Sequence, residues 1–105
     1  MKKYYIVILF ASACLSASAQ SPWTKKADFG GAARTGAAGF VIGTKGYIGT
    51  GNANTDLWEW DQSTNVWMQK ASQGGLGFSN AVGFAIGTKG YIGTGRAGGN
   101  VTDAY

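Results

Sequence analysis

Between Gly30 and Lys70, apolar positions fall in short runs broken by glycine- and asparagine-rich stretches. Ala37 to Ile42 is small and apolar and predicts a strand. Thr44-Lys45-Gly46 predicts a short hairpin turn, with Gly46 suited to a positive φ, and Tyr47 to Thr50 predicts the returning strand. Gly51 to Thr55 is polar and predicts a loop. Leu57 to Trp60 predicts a third strand, in which the two-residue period puts Trp58 and Trp60 on one face and Leu57 and Glu59 on the other. Asp61 to Asn65 predicts a second tight turn, and Val66 to Gln69 a fourth strand. A helical reading fails on the eight glycines from Gly30 to Gly51, since each interior glycine costs a helix about 1 kcal/mol relative to alanine.

The pattern occurs twice. Phe40 to Gly51 reads FVIGTKGYIGTG and Phe84 to Gly95 reads FAIGTKGYIGTG, at an offset of 44 residues. Trp23 to Ala53 and Trp67 to Ala97 share 19 identities in 31 positions. After Gly95 the second copy carries three extra residues, so Asp103 corresponds to Asp56 at an offset of 47. A period in the mid-forties with four short strands is that of a propeller blade.

The first twenty residues follow another rule. Lys2 and Lys3 precede an uncharged apolar run, Tyr4 to Ala13, and Ala17-Ser18-Ala19 is a small-x-small cleavage pattern followed by Gln20. This is the layout of a secretory signal peptide over residues 1–19. The run is about half the length of a membrane-spanning helix, so no membrane span is expected. Cys14 is the one cysteine and follows Ala11-Ser12-Ala13. It reads as a residue removed with the signal peptide; the alternative is a lipidation site that anchors the chain.

The repeat unit resembles the kelch repeat of kelch-type and galactose-oxidase-like propellers. The resemblance rests on the small-apolar strand ending in Gly43, on Tyr47-Ile48-Gly49-Thr50-Gly51, and on Trp60-Asp61-Gln62-Ser63-Thr64-Asn65-Val66-Trp67, which looks like the family's Tyr-Asp-Pro-x-Thr-Asn-x-Trp signature. Gly49-Thr50-Gly51 stands where the family has a glycine doublet, and Gln62 stands in place of the turn proline. The chain as a whole resembles the kelch-repeat proteins exported by Bacteroidetes. The resemblance implies an all-β fold: a kelch-type β-propeller fragment of about two four-stranded antiparallel blades over residues 20–105. Its repeat units are about 23–66 and 67–105, the second truncated. Ala37, Ala38, Gly39 and Gly43 would keep the inner strand thin, and Phe40, Ile42, Ile48, Trp60 and Trp67 would bury between blades. Trp23 reads as the last strand of a preceding blade. The expected partners are the missing blades of the same chain, with a homo-oligomer as the alternative.

Composition narrows the chemistry. The chain carries a formal charge of +4; without Lys2 and Lys3 it holds seven basic residues against five acidic ones, near +2. Lys25-Lys26 is the one basic pair, too little to neutralise a run of phosphates, so no nucleic-acid partner is expected. There is no histidine. Copper chemistry of the galactose-oxidase kind needs histidine and a tyrosine–cysteine crosslink, and no cofactor is expected. Gly43-Thr44-Lys45-Gly46 lacks the adjacent Gly-Lys of a phosphate-binding loop and recurs at Gly87, as a structural element does. Asp28, Asp56, Glu59 and Asp61 could suggest the paired carboxylates of glycoside hydrolysis, but read as caps of turns and strand ends.

In an up-and-down sheet the turns near residues 44 and 63 share one end. The longer loops, 25–35, 51–55, 71–79 and 95–102, share the other. These loops differ between copies: Phe78 stands opposite Arg34, and Arg96 opposite Asn52. Variable loops on a rigid scaffold are where binding resides, so Arg34, Asn52, Asn54, Arg96 and Asn100 form the expected binding site. The expected function is that of a noncatalytic secreted, periplasmic or surface module of a Gram-negative bacterium, binding a protein or glycan through this face. The alternative is a propeller enzyme (a sugar-acid mutarotase, glycosidase or galactose-oxidase-like oxidase) with its catalytic residues in missing blades.

Overall fold

The computed structural model describes residues 2–3, 21–97 and 105. The apolar run, Cys14 and the cleavage pattern lie outside the described residues, as does Asn100. Among those described, no helix is long and apolar enough to cross a membrane.

The described chain is all-β. Strands β1 (Ala38–Ile42), β2 (Lys45–Gly49), β3 (Leu57–Asp61) and β4 (Val66–Lys70) form one antiparallel sheet in sequence order. Strands β5 (Val82–Ile86) and β6 (Lys89–Gly93) form a hairpin that repeats β1 and β2. The pairings Phe40 with Tyr47 and Phe84 with Tyr91 occupy equivalent places, each with stacked rings 5.0 and 5.2 Å apart.

The first turn differs from the expected one. Ile42 pairs with Lys45, so the loop is Gly43-Thr44, and positive φ falls on Gly43 (58°) and its counterpart Gly87 (58°). A two-residue hairpin with glycine at the first central position has the pattern of a type II′ turn, whose twist matches the flanking strands. Gly46 is therefore a strand residue between Val41 and Trp60. The second turn closes through its own side chains. Asp61 Oδ1 accepts the Ser63 amide (2.8 Å) and hydroxyl (2.6 Å), and Asn65 takes a left-handed φ of 55° that asparagine tolerates.

The two faces of the sheet are covered differently. Trp58, Trp60 and Trp67 share one face, part of which the segment before β1 covers. Phe29 meets Trp58 and Trp67 edge-on, with centroids 5.6 and 5.1 Å away. Asn65 Oδ1 accepts the Ala27 amide and the Trp60 indole, and the Trp67 indole donates to the Ala27 carbonyl. The tryptophans are thus half-buried under a loop of their own chain. Trp23 stands exposed outside any strand, with no sheet partner among the described residues.

On the opposite face the β5–β6 hairpin lies against β1. A Cβ on Gly90 would overlap the Phe40 ring, and one on Gly83 would stand 2.9 Å from the Gly39 carbonyl oxygen. Glycine at both positions lets the hairpin approach the sheet. The core sits at the loop end of this junction: Ala38, Phe78 and Ile92 are buried, with Phe40, Leu57, Ala81 and Ala97 packed on them. Tyr105 exchanges two backbone hydrogen bonds with Ile92 (2.8 and 2.7 Å), at the place where Trp58 pairs with Ile48 in the first sheet.

Candidate functional site

Where the strands end, the loops are tied to one another across the two units. The Gly51 amide donates to the Phe78 carbonyl (2.7 Å), the Asn80 amide to Gly36 (2.8 Å), and the Gln73 amide to Thr55 (3.0 Å). Thr50 and Thr94 take φ of 61° and 64° at the corner after β2 and β6, so the same strained corner recurs in both units.

Arg34 organises this end. Its guanidinium binds Asp56 through two parallel hydrogen bonds, 2.6 Å to Oδ1 and 2.8 Å to Oδ2, and it also donates to the carbonyls of Thr50 and Ala32. The Phe29 ring lies 5.0 Å from the guanidinium carbon, within cation–π range. The arginine side chain is 4% exposed and the aspartate 20%. The Arg34 hydrogen bond holds the Asp56 carboxyl below its usual range, helped by the Trp58 indole, which also donates to it. The fork geometry suits arginine and not lysine.

Beside this pair lies a cleft of about 180 Å³, lined in part by Thr50, Asp56, Leu57, Gln73, Ile92 and Tyr105. Thr50 Oγ1 and Gln73 Oε1 are buried with no hydrogen-bond partner among the described residues, and both residues line the cleft. The Gln73 amide nitrogen donates to the Leu76 carbonyl, which fixes the side chain and leaves its oxygen as the free acceptor. Buried polar atoms are nearly always paired. Two residues with unpaired buried oxygens thus border one small cleft with apolar walls.

A second polar cluster lies on the face that carries Phe40. Glu59 is 7% exposed, and its carboxylate accepts from Lys45 Nζ (2.9 Å) and the Tyr47 hydroxyl (2.8 Å), with Lys70 Nζ at 3.3 Å. The Lys45 bond, followed by that from Tyr47, holds Glu59 below the usual carboxylate range, while the bond to Glu59 raises both Lys45 and Tyr47. Glu59 is therefore ionised at neutral pH and is no proton donor. Among the described residues the other carboxylates have their own partners: Asp28 pairs with Lys25 at 3.0 Å, Asp56 with Arg34, and Asp61 closes its own turn with Lys45 Nζ 3.9 Å away. The expected capping role fits Asp61, whereas Asp56 and Glu59 are held by ion pairs. Among the described residues no group of three or more metal-ligating side chains converges.

The residues expected to bind are placed as follows. Arg34 is committed to Asp56. Asn52 accepts from the Thr35 amide and hydroxyl, and the Asn54 amide donates to Gly51. Arg96 pairs through its backbone with Ser79, and its side chain is exposed. None of these four lines the cleft, but Arg34 holds two residues that do, Thr50 and Asp56. Thr50 and Gln73 gave different signals in the sequence. Thr50 lies inside the identical repeat and reads as scaffold. Gln73 stands where the first unit has Phe29, and this exchange of an aromatic for an amide was the available clue.

The protein class defined by these observations is an all-β repeat chain with a largely apolar cleft between its two units. No family model matches the chain, and no curated protein matches it.

Proposed function

We propose that the chain is a noncatalytic, exported kelch-like propeller module that binds a hydroxyl-rich ligand, a glycan, at the loop end of its sheets. The 44-residue period, the four-stranded antiparallel sheet and the hairpin that repeats its first two strands support the propeller reading. Lys2-Lys3, the apolar run and Ala17-Ser18-Ala19 support export. The observation that carries the binding reading is that Thr50 and Gln73, whose Oγ1 and Oε1 have no hydrogen-bond partner among the described residues, both line a cleft walled by Leu57, Ile92 and Tyr105. A sugar supplies hydroxyl donors to the oxygens and C–H faces to the apolar walls. At about 180 Å³ the cleft is smaller than a typical small-molecule pocket and takes one group of a larger ligand.

Titration calorimetry against a panel of mono- and oligosaccharides tests this. Gln73→Met is expected to weaken the bound sugar about tenfold, or about 1.4 kcal/mol. Arg96→Ala is expected to leave it unchanged. Affinity lost in Arg96→Ala and kept in Gln73→Met would move the site to the exposed loop.

A further inference from the structure

The cleft beside Arg34 and Asp56 is lined by charge of one sign. Asp56 lines it, and among the described residues no lysine or arginine side chain does. The balancing cation stands behind the carboxylate. Arg34 is 4% exposed and lies outside the lining, and its guanidinium is spent on Asp56 and on the Thr50 and Ala32 carbonyls. The ion pair therefore turns its negative end to the cleft. Asp56 keeps 20% of its side chain exposed, and Oδ1 is the less occupied oxygen, since Oδ2 accepts both Arg34 and the Trp58 indole. The Gln73 amide nitrogen is turned to the Leu76 carbonyl. Two aromatic rings, Phe40 and Tyr105, complete the lining, and the face of such a ring attracts a cation.

Resting on the glycan reading above, we infer that the sugar group entering the cleft carries a primary ammonium, so that the ligand is an amino sugar with a free amine and acidic sugars are rejected. A hydrogen bond from an ammonium to a carboxylate is roughly twice as strong as one between neutral groups. The ammonium also brings three donors and no acceptor, which suits a lining that offers oxygens. An acidic sugar would leave water to meet the Asp56 carboxylate with no positive side chain to receive it, and a like charge of this kind excludes a ligand as effectively as a clash.

Titration calorimetry of the full chain with three trisaccharides of one linkage, built from glucosamine, glucose and glucuronic acid, tests this. The glucosamine trimer is expected to bind about tenfold tighter than the glucose trimer, and the glucuronic acid trimer about tenfold weaker than glucose. Gln73→Met is expected to weaken the glucosamine trimer about tenfold. A glucose or glucuronic acid trimer that binds as tightly as the glucosamine trimer overturns the inference; if Gln73→Met weakens that trimer, the glycan reading stands without it. Glucosamine binding that ignores Gln73→Met places the amine outside the cleft and also overturns the inference. If no sugar of any class binds, the glycan reading itself fails and takes the inference with it.

Discussion

Replacing Arg34 by alanine is expected to destabilise the protein by roughly 3–5 kcal/mol, the range for removing one partner of a buried ion pair. Asp56 would lose both arms of the fork while remaining mostly buried, and the Thr50 carbonyl would lose its donor. Against a total stability of about 5–15 kcal/mol and, among the described residues, a core of three buried apolar side chains, Ala38, Phe78 and Ile92, that loss is large. Arg34→Lys keeps the charge but loses the parallel pair, and an intermediate loss is expected. The same pair sets an acid limit. Asp56 has its carboxyl lowered from 3.8 in the folded chain, so its contribution is complete above 3.8 and is lost as pH falls through the lowered value. Urea unfolding of wild type and Arg34→Ala between pH 7 and pH 2 checks both statements, with the acid-side loss due to Asp56 expected to shrink in the variant. A variant as stable as wild type would show that Arg34 is free for ligand and not committed to the scaffold.

Gly90→Ala is expected to cost about 2–3 kcal/mol, at the upper end of ordinary overpacking. Its new methyl would fall on the Phe40 ring, which is stacked at 11° on Tyr47 and has no easy way to swing aside. The equivalent change in the other copy, Gly46→Ala, meets only an ordinary contact and should alter the stability of one chain by less than about 0.5 kcal/mol. Identical residues at identical places in two copies of one motif thus separate by their neighbours alone, and thermal unfolding of the two variants side by side reads the difference. Equal effects would mean that the hairpin does not pack on β1.

The strands were legible because their signal is local. A two-residue period and glycine-rich breaks placed all four strands of the first sheet within two residues of their ends, and the 44-residue offset carried the first two over to β5 and β6. The turn glycine was harder. Gly43 and Gly46 flank Thr44-Lys45, and hairpin twist chooses between them in a way residue type does not reveal. The junction was least legible. Arg34 and Asp56 lie 22 positions apart, and the second copy has Phe78 in place of the arginine, stacked on Tyr105 at 6.3 Å instead of paired with an acid. Loop variation therefore read as binding where part of it is alternative packing. The cleft arises from two units meeting, so neither repeat contains it alone. The tryptophan face shows the same limit: Trp60 and Trp67 were expected between sheets, and the segment carrying Ala27 and Phe29 covers that face.

Stacking of the two repeat units through glycine-thinned strands is the central claim, and proton NMR tests it most directly at Phe40 and Gly90. A strong nuclear Overhauser effect between the Phe40 ring protons and the Gly90 Hα protons is expected, with the Hα resonances shifted upfield by the ring. Gly90 Hα resonances at their random-coil positions, with no effect to Phe40, would contradict it.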